Sequence, residues 1–235
     1  MNTHLWDESL SAYRDALIDG KPIQKVTEQA NAWAIEFDVA EPEKFSSIIQ
    51  SVFDSEKEVV RAGSPYFSFY LLSAFVKSGL YEKAFAYIRT HWKKMLDWGA
   101  TTWWEMWQPT ASFCHGWSAA PTYFLSAEIL GVKPAKPGWE EVLIHPHSTD
   151  LQWAKGVVPT PIGNVSVEWK SEETFEMTIE IPTRARIAIP IRKSGLIMVN
   201  GEKDGLPMGV SRLEDRGGFA FLQAKRQGRY RFTST

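Results

Sequence analysis

Pro65-Tyr66-Phe67-Ser68-Phe69-Tyr70-Leu71-Leu72-Ser73-Ala74-Phe75-Val76-Lys77-Ser78-Gly79 is the stretch on which the fold turns. It is apolar nearly all round, and a helix without a polar face is one buried on several sides. The next stretch, 81–98, is amphipathic. Phe85, Ile88, Trp92 and Met95 fall on one stripe, while Glu82, Lys83, Arg89, Lys93 and Asp97 point elsewhere. A shielded helix followed by a half-shielded one predicts an α/α hairpin, one layer inside and one facing solvent.

Helical spacing continues upstream. Ala30, Trp33, Ala34 and Phe37 set a helix over 27–39, with Thr27 as its N-cap, and a more polar helix over 41–54 is entered through Pro42. Downstream, a helix over 118–130 is expected to start on Ser118, with Pro121 in its first turn, and to end at Gly131 and Pro134. About five helices are too few to close a ring of twelve. Past Pro134, Pro137 and Gly138 the period becomes that of strands, at 141–145, 165–169, 175–181, 187–191, 196–199, 219–223 and 230–233. Turn signals such as Asn200-Gly201 and Gly217-Gly218 separate them. The expected fold is therefore α and β in series: a fragment of an α/α-toroid over residues 1–133, then an antiparallel β-sandwich over residues 134–235.

Composition removes several function classes. Lys and Arg number 26 against 28 Asp and Glu, a net charge of −2, so the basic footprint of a nucleic-acid or anionic-membrane binder is missing and neither partner is expected. No apolar run approaches the roughly 20 residues of a membrane span. Cys114 is the single cysteine, which rules out an intrachain disulfide and suits a reducing compartment. Met1 to Trp6 lack the features of a signal peptide, so a cytoplasmic location is expected, although a piece of an exported precursor would look the same. No phosphate-binding glycine loop is present and no cofactor is expected. His145-Pro146-His147 lacks further ligands, so no metal is expected there either.

Eleven tryptophans are the compositional anomaly, and six of them (Trp92, Trp98, Trp103, Trp104, Trp107 and Trp117) lie close together. Between two helices runs Thr101-Thr102-Trp103-Trp104-Glu105-Met106-Trp107, followed by Phe113-Cys114-His115-Gly116-Trp117-Ser118. A tryptophan-rich loop is more often core than ligand site, and a lone loop glutamate more often solvated. Trp-Trp-Glu-x-Trp nevertheless sets a carboxylate among indoles, at a desolvation cost that calls for a reason. Aromatic walls offer a sugar a stacking face and let a carboxylate's basicity be tuned by its surroundings.

These two segments, with Leu130-Gly131-Val132-Lys133-Pro134 after them, closely resemble the end of the catalytic barrel in bacterial α-L-rhamnosidases. The resemblance extends over about residues 5–170, from Leu5-Trp6-Asp7-Glu8 and Gly63-Ser64-Pro65-Tyr66-Phe67 to the run from Ala154 to Gly163. It implies a six-hairpin glycosidase that hydrolyses terminal α-L-rhamnosyl residues with inversion, acting on a rhamnose-containing glycoside or polysaccharide. It also implies Glu105 as general base, His115 as a histidine hydrogen-bonded to rhamnose, and Trp103, Trp104, Trp107, Tyr66 and Trp6 as candidates for the sugar-facing wall. Trp33 reads as core, and Gln29 and Asn31 as a polar edge.

The family's general acid lies in an acidic motif upstream of anything in this chain. Asp7, Glu8 and Asp15 do not align with it, and Asp97 and Glu128 read as solvated helix residues. The chain is thus expected to hold half of a catalytic pair, and to associate with itself through the open flank of its half-barrel. Two other readings remain: a non-catalytic carbohydrate-binding or assembly module, and a related α/α-scaffold enzyme acting on another sugar.

Overall fold

The computed structural model describes residues 1–54, 58–202 and 206–235. They form two compact units, Met1–Pro121 and Thr122–Thr235.

The first unit opens with two short antiparallel ribbons, β1 (Trp6–Asp7) with β2 (Ala12–Tyr13) and β3 (Leu17–Ile18) with β4 (Lys21–Pro22). Helix α1 (Glu28–Glu36) starts as its sequence requires, with Thr27 Oγ1 accepting from the Ala30 N–H. Asn31 is not a polar edge. It is fully buried and clamps Tyr13, accepting from its N–H at 2.8 Å and donating to its carbonyl at 3.0 Å. The segment expected as one helix over 41–54 is three different turns: a 3₁₀ turn at Pro42–Lys44, helix α2 (Phe45–Ile48) and a π-helical turn at Ile49–Phe53. The Ser47 and Ser51 hydroxyls donate to the carbonyls of Lys44 and Ser47, the back-bonding by which serine competes with regular helix.

Helix α3 (Pro65–Lys77) is capped by Ser64 and buries Phe67, Leu71, Leu72, Ala74 and Phe75 against α1 and against α4 (Tyr81–Asp97). Helix α4 buries Ala84, Phe85, Trp92 and Met95, with Ile88 half-buried beside them. Tyr66, on the first turn of α3, remains 42% exposed.

The second unit begins within helix α5 (Ala120–Phe124), which continues into a π-helical turn at Leu125–Ile129. Ser118 does not cap this helix. It lies in a 3₁₀ turn, Gly116–Ser118, with its hydroxyl buried and without a hydrogen-bond partner. Two five-stranded sheets follow. One has the order β12 (Val210–Arg216), β13 (Phe219–Ala224), β10 (Ala185–Pro190), β6 (Val142–Ile144), β5 (Val132–Pro134). The other runs β11 (Ile197–Val199), β14 (Gly228–Ser234), β9 (Phe175–Ile181), β8 (Gly163–Ser171), β7 (Trp153–Thr160). All pairings are antiparallel except that of β6 with β10. Strand β10 lies against β9 and β14 of the opposite sheet. Alternate residues fill the space between, such as Val165, Val167 and Trp169 on β8 and Phe175, Met177, Ile179 and Ile181 on β9. The expected succession of α/α helices and antiparallel sheets is thus the observed one.

Candidate active site

The Glu105 loop leaves α4 through Gly99, whose φ of +84° suits glycine where the chain reverses. Its two arms are then tied together. The Thr102 hydroxyl donates to the Phe113 carbonyl, the His115 N–H donates to the Trp103 carbonyl at 2.8 Å, and the Glu105 N–H donates to the Ser112 carbonyl at 2.9 Å. The Ser112 N–H in turn reaches Glu105 Oε2 at 3.4 Å, and the Ser112 hydroxyl donates to the Cys114 carbonyl. Glu105 and His115 therefore sit on facing arms of one clamped hairpin.

The aromatic candidates divide. Trp104 is only 7% exposed, stacked on Trp98 at 6.2 Å and edge-on to Phe113. Trp107 packs edge-on against Trp92 at 5.0 Å and lies beside His91, while the Trp92 indole donates to the Ser118 carbonyl. These two indoles fix the loop to the helices below it. Trp103 is half-buried and contributes its carbonyl to the clamp. Trp6 packs against Tyr13 at 5.1 Å and under the Lys44 ammonium at 4.7 Å. Tyr66 does face the site: its ring is 5.4 Å from Trp117, which is 5.7 Å from His115. Trp117, 72% exposed, is the residue that the sequence reading left without a role. Its signal was its place in Cys114-His115-Gly116-Trp117, one small residue beyond the histidine.

Four of the other carboxylates considered have partners of their own. Asp7 is held by Ser9 and Arg14, which keep its carboxyl below the usual range. Asp15 accepts from Thr27, and Asp97 is paired with Lys93. Glu128 is not a solvated residue. It is 3% exposed and accepts both oxygens' worth of contact from the Lys133 ammonium, at 3.0 and 2.9 Å. Burial raises its pKa. His145 and His147 lie with ring centroids 4.3 Å apart in the same unit, and among the described residues no group of three or more His, Cys, Asp or Glu is arranged to hold a metal ion. Nor, among these residues, is any helix long and apolar enough to cross a membrane.

The model of the bacterial α-L-rhamnosidase six-hairpin glycosidase domain matches residues 3–129, and that of the bacterial α-L-rhamnosidase C-terminal domain matches residues 131–204. The chain belongs to the bacterial α-L-rhamnosidase family. An α-L-rhamnosidase of Alteromonas sp. (strain LOR) is 30% identical over 59% of this chain and 16% of its own length. The crystal structure of a rhamnosidase of glycoside hydrolase family 78 from Bacillus sp. GL1 is 37% identical, covers 73% of this chain and 20% of that one, and superposes with a TM-score of 0.67. The α-L-rhamnosidase of Streptomyces avermitilis, complexed with L-rhamnose, is 17% identical and shares the fold over 95% of this chain and 22% of that one, with a TM-score of 0.74. This member of the rhamnosidase family thus spans about one fifth of the length of the relatives that it matches.

Proposed function

We propose that this chain supplies the general-base half of an inverting α-L-rhamnosidase site. Inversion needs two carboxyl groups about 6.5–9.5 Å apart, one protonating the leaving oxygen and one deprotonating a water on the opposite face of the ring. Glu105 takes the second role. His115 hydrogen-bonds the sugar, and the rings of Trp117 and Tyr66 receive the apolar flank of rhamnose, whose C5 carries a methyl group. The observation that carries this reading is the hairpin clamp that puts Glu105 and His115 on facing arms, open on the side of Trp117. The substrate class is supported by the activities of the Alteromonas and Bacillus relatives and by the sugar bound in the Streptomyces one.

Calorimetric titration of the chain with L-rhamnose tests the site. Binding is expected, weakened at least about tenfold in His115→Ala and in Trp117→Ala, the order of one lost hydrogen bond or stacking contact. Unchanged affinity in both variants would contradict the assignment. One observation favours a second reading, that of a non-catalytic binding module: Glu105 is the one carboxylate that the loop over 99–117 carries. Rhamnose binding with no turnover of any activated rhamnoside would select it.

A further inference from the structure

A cavity of about 830 Å³ in the first unit is lined by the turn between α3 and α4 and by residues of the segment 38–54. It lies at the opposite end of the hairpin from the Glu105 loop. Lys77 ends α3 and Leu80 precedes α4, whereas the loop leaves α4 at its other end, 17 residues or about 25 Å along the helix axis. The volume falls in the range of about 300–1,000 Å³ usual for pockets that hold small organic ligands. Phe45 and Ile49, both buried, and Leu80 give the apolar part of the lining.

The polar part is two ion pairs. The Lys77 ammonium meets Asp38 at 2.7 Å and donates to the Glu36 carbonyl at 2.7 Å, and the Lys83 ammonium donates to Asp54. The four charges cancel in pairs. A charged ligand of either sign would have to draw one partner from the other and leave an ammonium or a carboxylate uncompensated. A ligand rich in neutral hydroxyls does not, because the ammoniums donate to such groups and the carboxylates accept from them with both pairs intact. Gln50, exposed on the same lining, adds an amide donor and a carbonyl acceptor. Ser78, also in the wall, has a buried hydroxyl without a hydrogen-bond partner, a polar group that the protein leaves unsatisfied there.

We infer that this cavity is a second saccharide site, holding neutral glycosyl residues of a polymeric substrate far from the bond attacked at the Glu105 loop. A chain held there keeps its other ends at raised local concentration near the loop. That the sugar is rhamnose rests on the proposed function; the preference for a neutral oligosaccharide does not.

Two-dimensional amide NMR of the full chain, titrated with the neutral trisaccharide α-L-rhamnotriose, tests the site. Shifts of the 42–54 and 77–83 amides are expected, saturating independently of those over 102–117. Gln50→Trp, at an exposed position, fills the cavity and is expected to weaken the first set at least about tenfold while leaving the second unchanged. Asp38→Asn with Asp54→Asn removes both carboxylates, and asparagine tolerates the φ of +55° at position 38. This variant is expected to take up trigalacturonic acid, which the parent chain leaves alone. No shift around the cavity, binding there undiminished by Gln50→Trp, an equal response of the parent chain to trigalacturonic acid, or a double variant that still ignores the acid would each overturn the inference. Shifts around the cavity without any over 102–117 would leave this site standing and remove the rhamnose assignment of the Glu105 loop.

Discussion

Thr27 performs two tasks with one hydroxyl: it accepts from the Ala30 N–H to cap α1 and donates to Asp15 Oδ1 at 2.9 Å. Thr27→Ala is expected to cost the first unit about 1–2 kcal/mol in urea unfolding, the worth of a good N-cap, whereas Thr27→Ser keeps most of it. That cap was legible because Thr27 stands just before a periodic apolar run. Ser118 has the same look and does not cap, because a 3₁₀ turn intervenes before α5. The aromatic wall could be read only in part for a similar reason. A loop has no period, so Trp103, Trp104, Trp107 and Trp117 are equivalent candidates until the clamp decides which ring turns inward. Thr102 holds that clamp through the Phe113 carbonyl. Thr102→Val is expected to loosen the Glu105 arm and to lower L-rhamnose affinity several-fold without unfolding the unit, and calorimetry beside circular dichroism checks both.

At the scale of elements, the strands of the second unit that the sequence reading did not find share one property. β5, β7 and β12 each lie at the edge of a sheet. An edge strand presents little buried face, so the apolar alternation that betrays β8 and β9 is absent. β7 is half-exposed throughout and carries Pro159, which an edge tolerates, and β12 buries only Val210 and shifts register between Arg212 and Glu214. Gly131, expected to end a helix, has a second duty. Its φ is +76°, and a Cβ there would fall 2.2 Å from the carbonyl carbon of His145, whose N–H donates to the Gly131 carbonyl at 2.9 Å. Gly131→Ala therefore has to push two backbones apart and is expected to destabilise the second unit by more than about 3 kcal/mol. Gly99→Ala meets no atom within 4 Å and is expected to cost about 1 kcal/mol for its positive φ alone. Urea midpoints of the two variants, measured side by side, check the difference.

At the scale of the molecule, the second unit carries a built-in sensitivity to acid. Burial holds His145 down to about 4 and His147 to about 3, with the Lys133 ammonium acting in the same direction on both, Arg216 on His145 and the His145 ring on His147. A histidine with a lowered native pKa binds its proton in the unfolded chain first. Its contribution is intact above about pH 6.5 and is lost as pH falls from there toward 4, by about 3 kcal/mol for His145 alone. His145→Phe, set beside Phe219 and Phe221, is expected to flatten that slope, read from hydrogen exchange of the β8 and β9 amides between pH 7 and 4. The order of helices and sheets was legible in the sequence, since it follows from a change of period near Pro134. The pairing of carboxylate and histidine needed the family resemblance as well as the loop composition.

The proposed role of Glu105 as general base is tested most directly with a substrate whose departure needs no acid. Fluoride leaves without protonation, so α-L-rhamnosyl fluoride should be hydrolysed by the chain alone. Fluoride release, followed with an ion-selective electrode, is expected to fall about 10²–10⁴-fold in Glu105→Gln, the usual worth of a general base. Equal release by the two proteins would contradict the account.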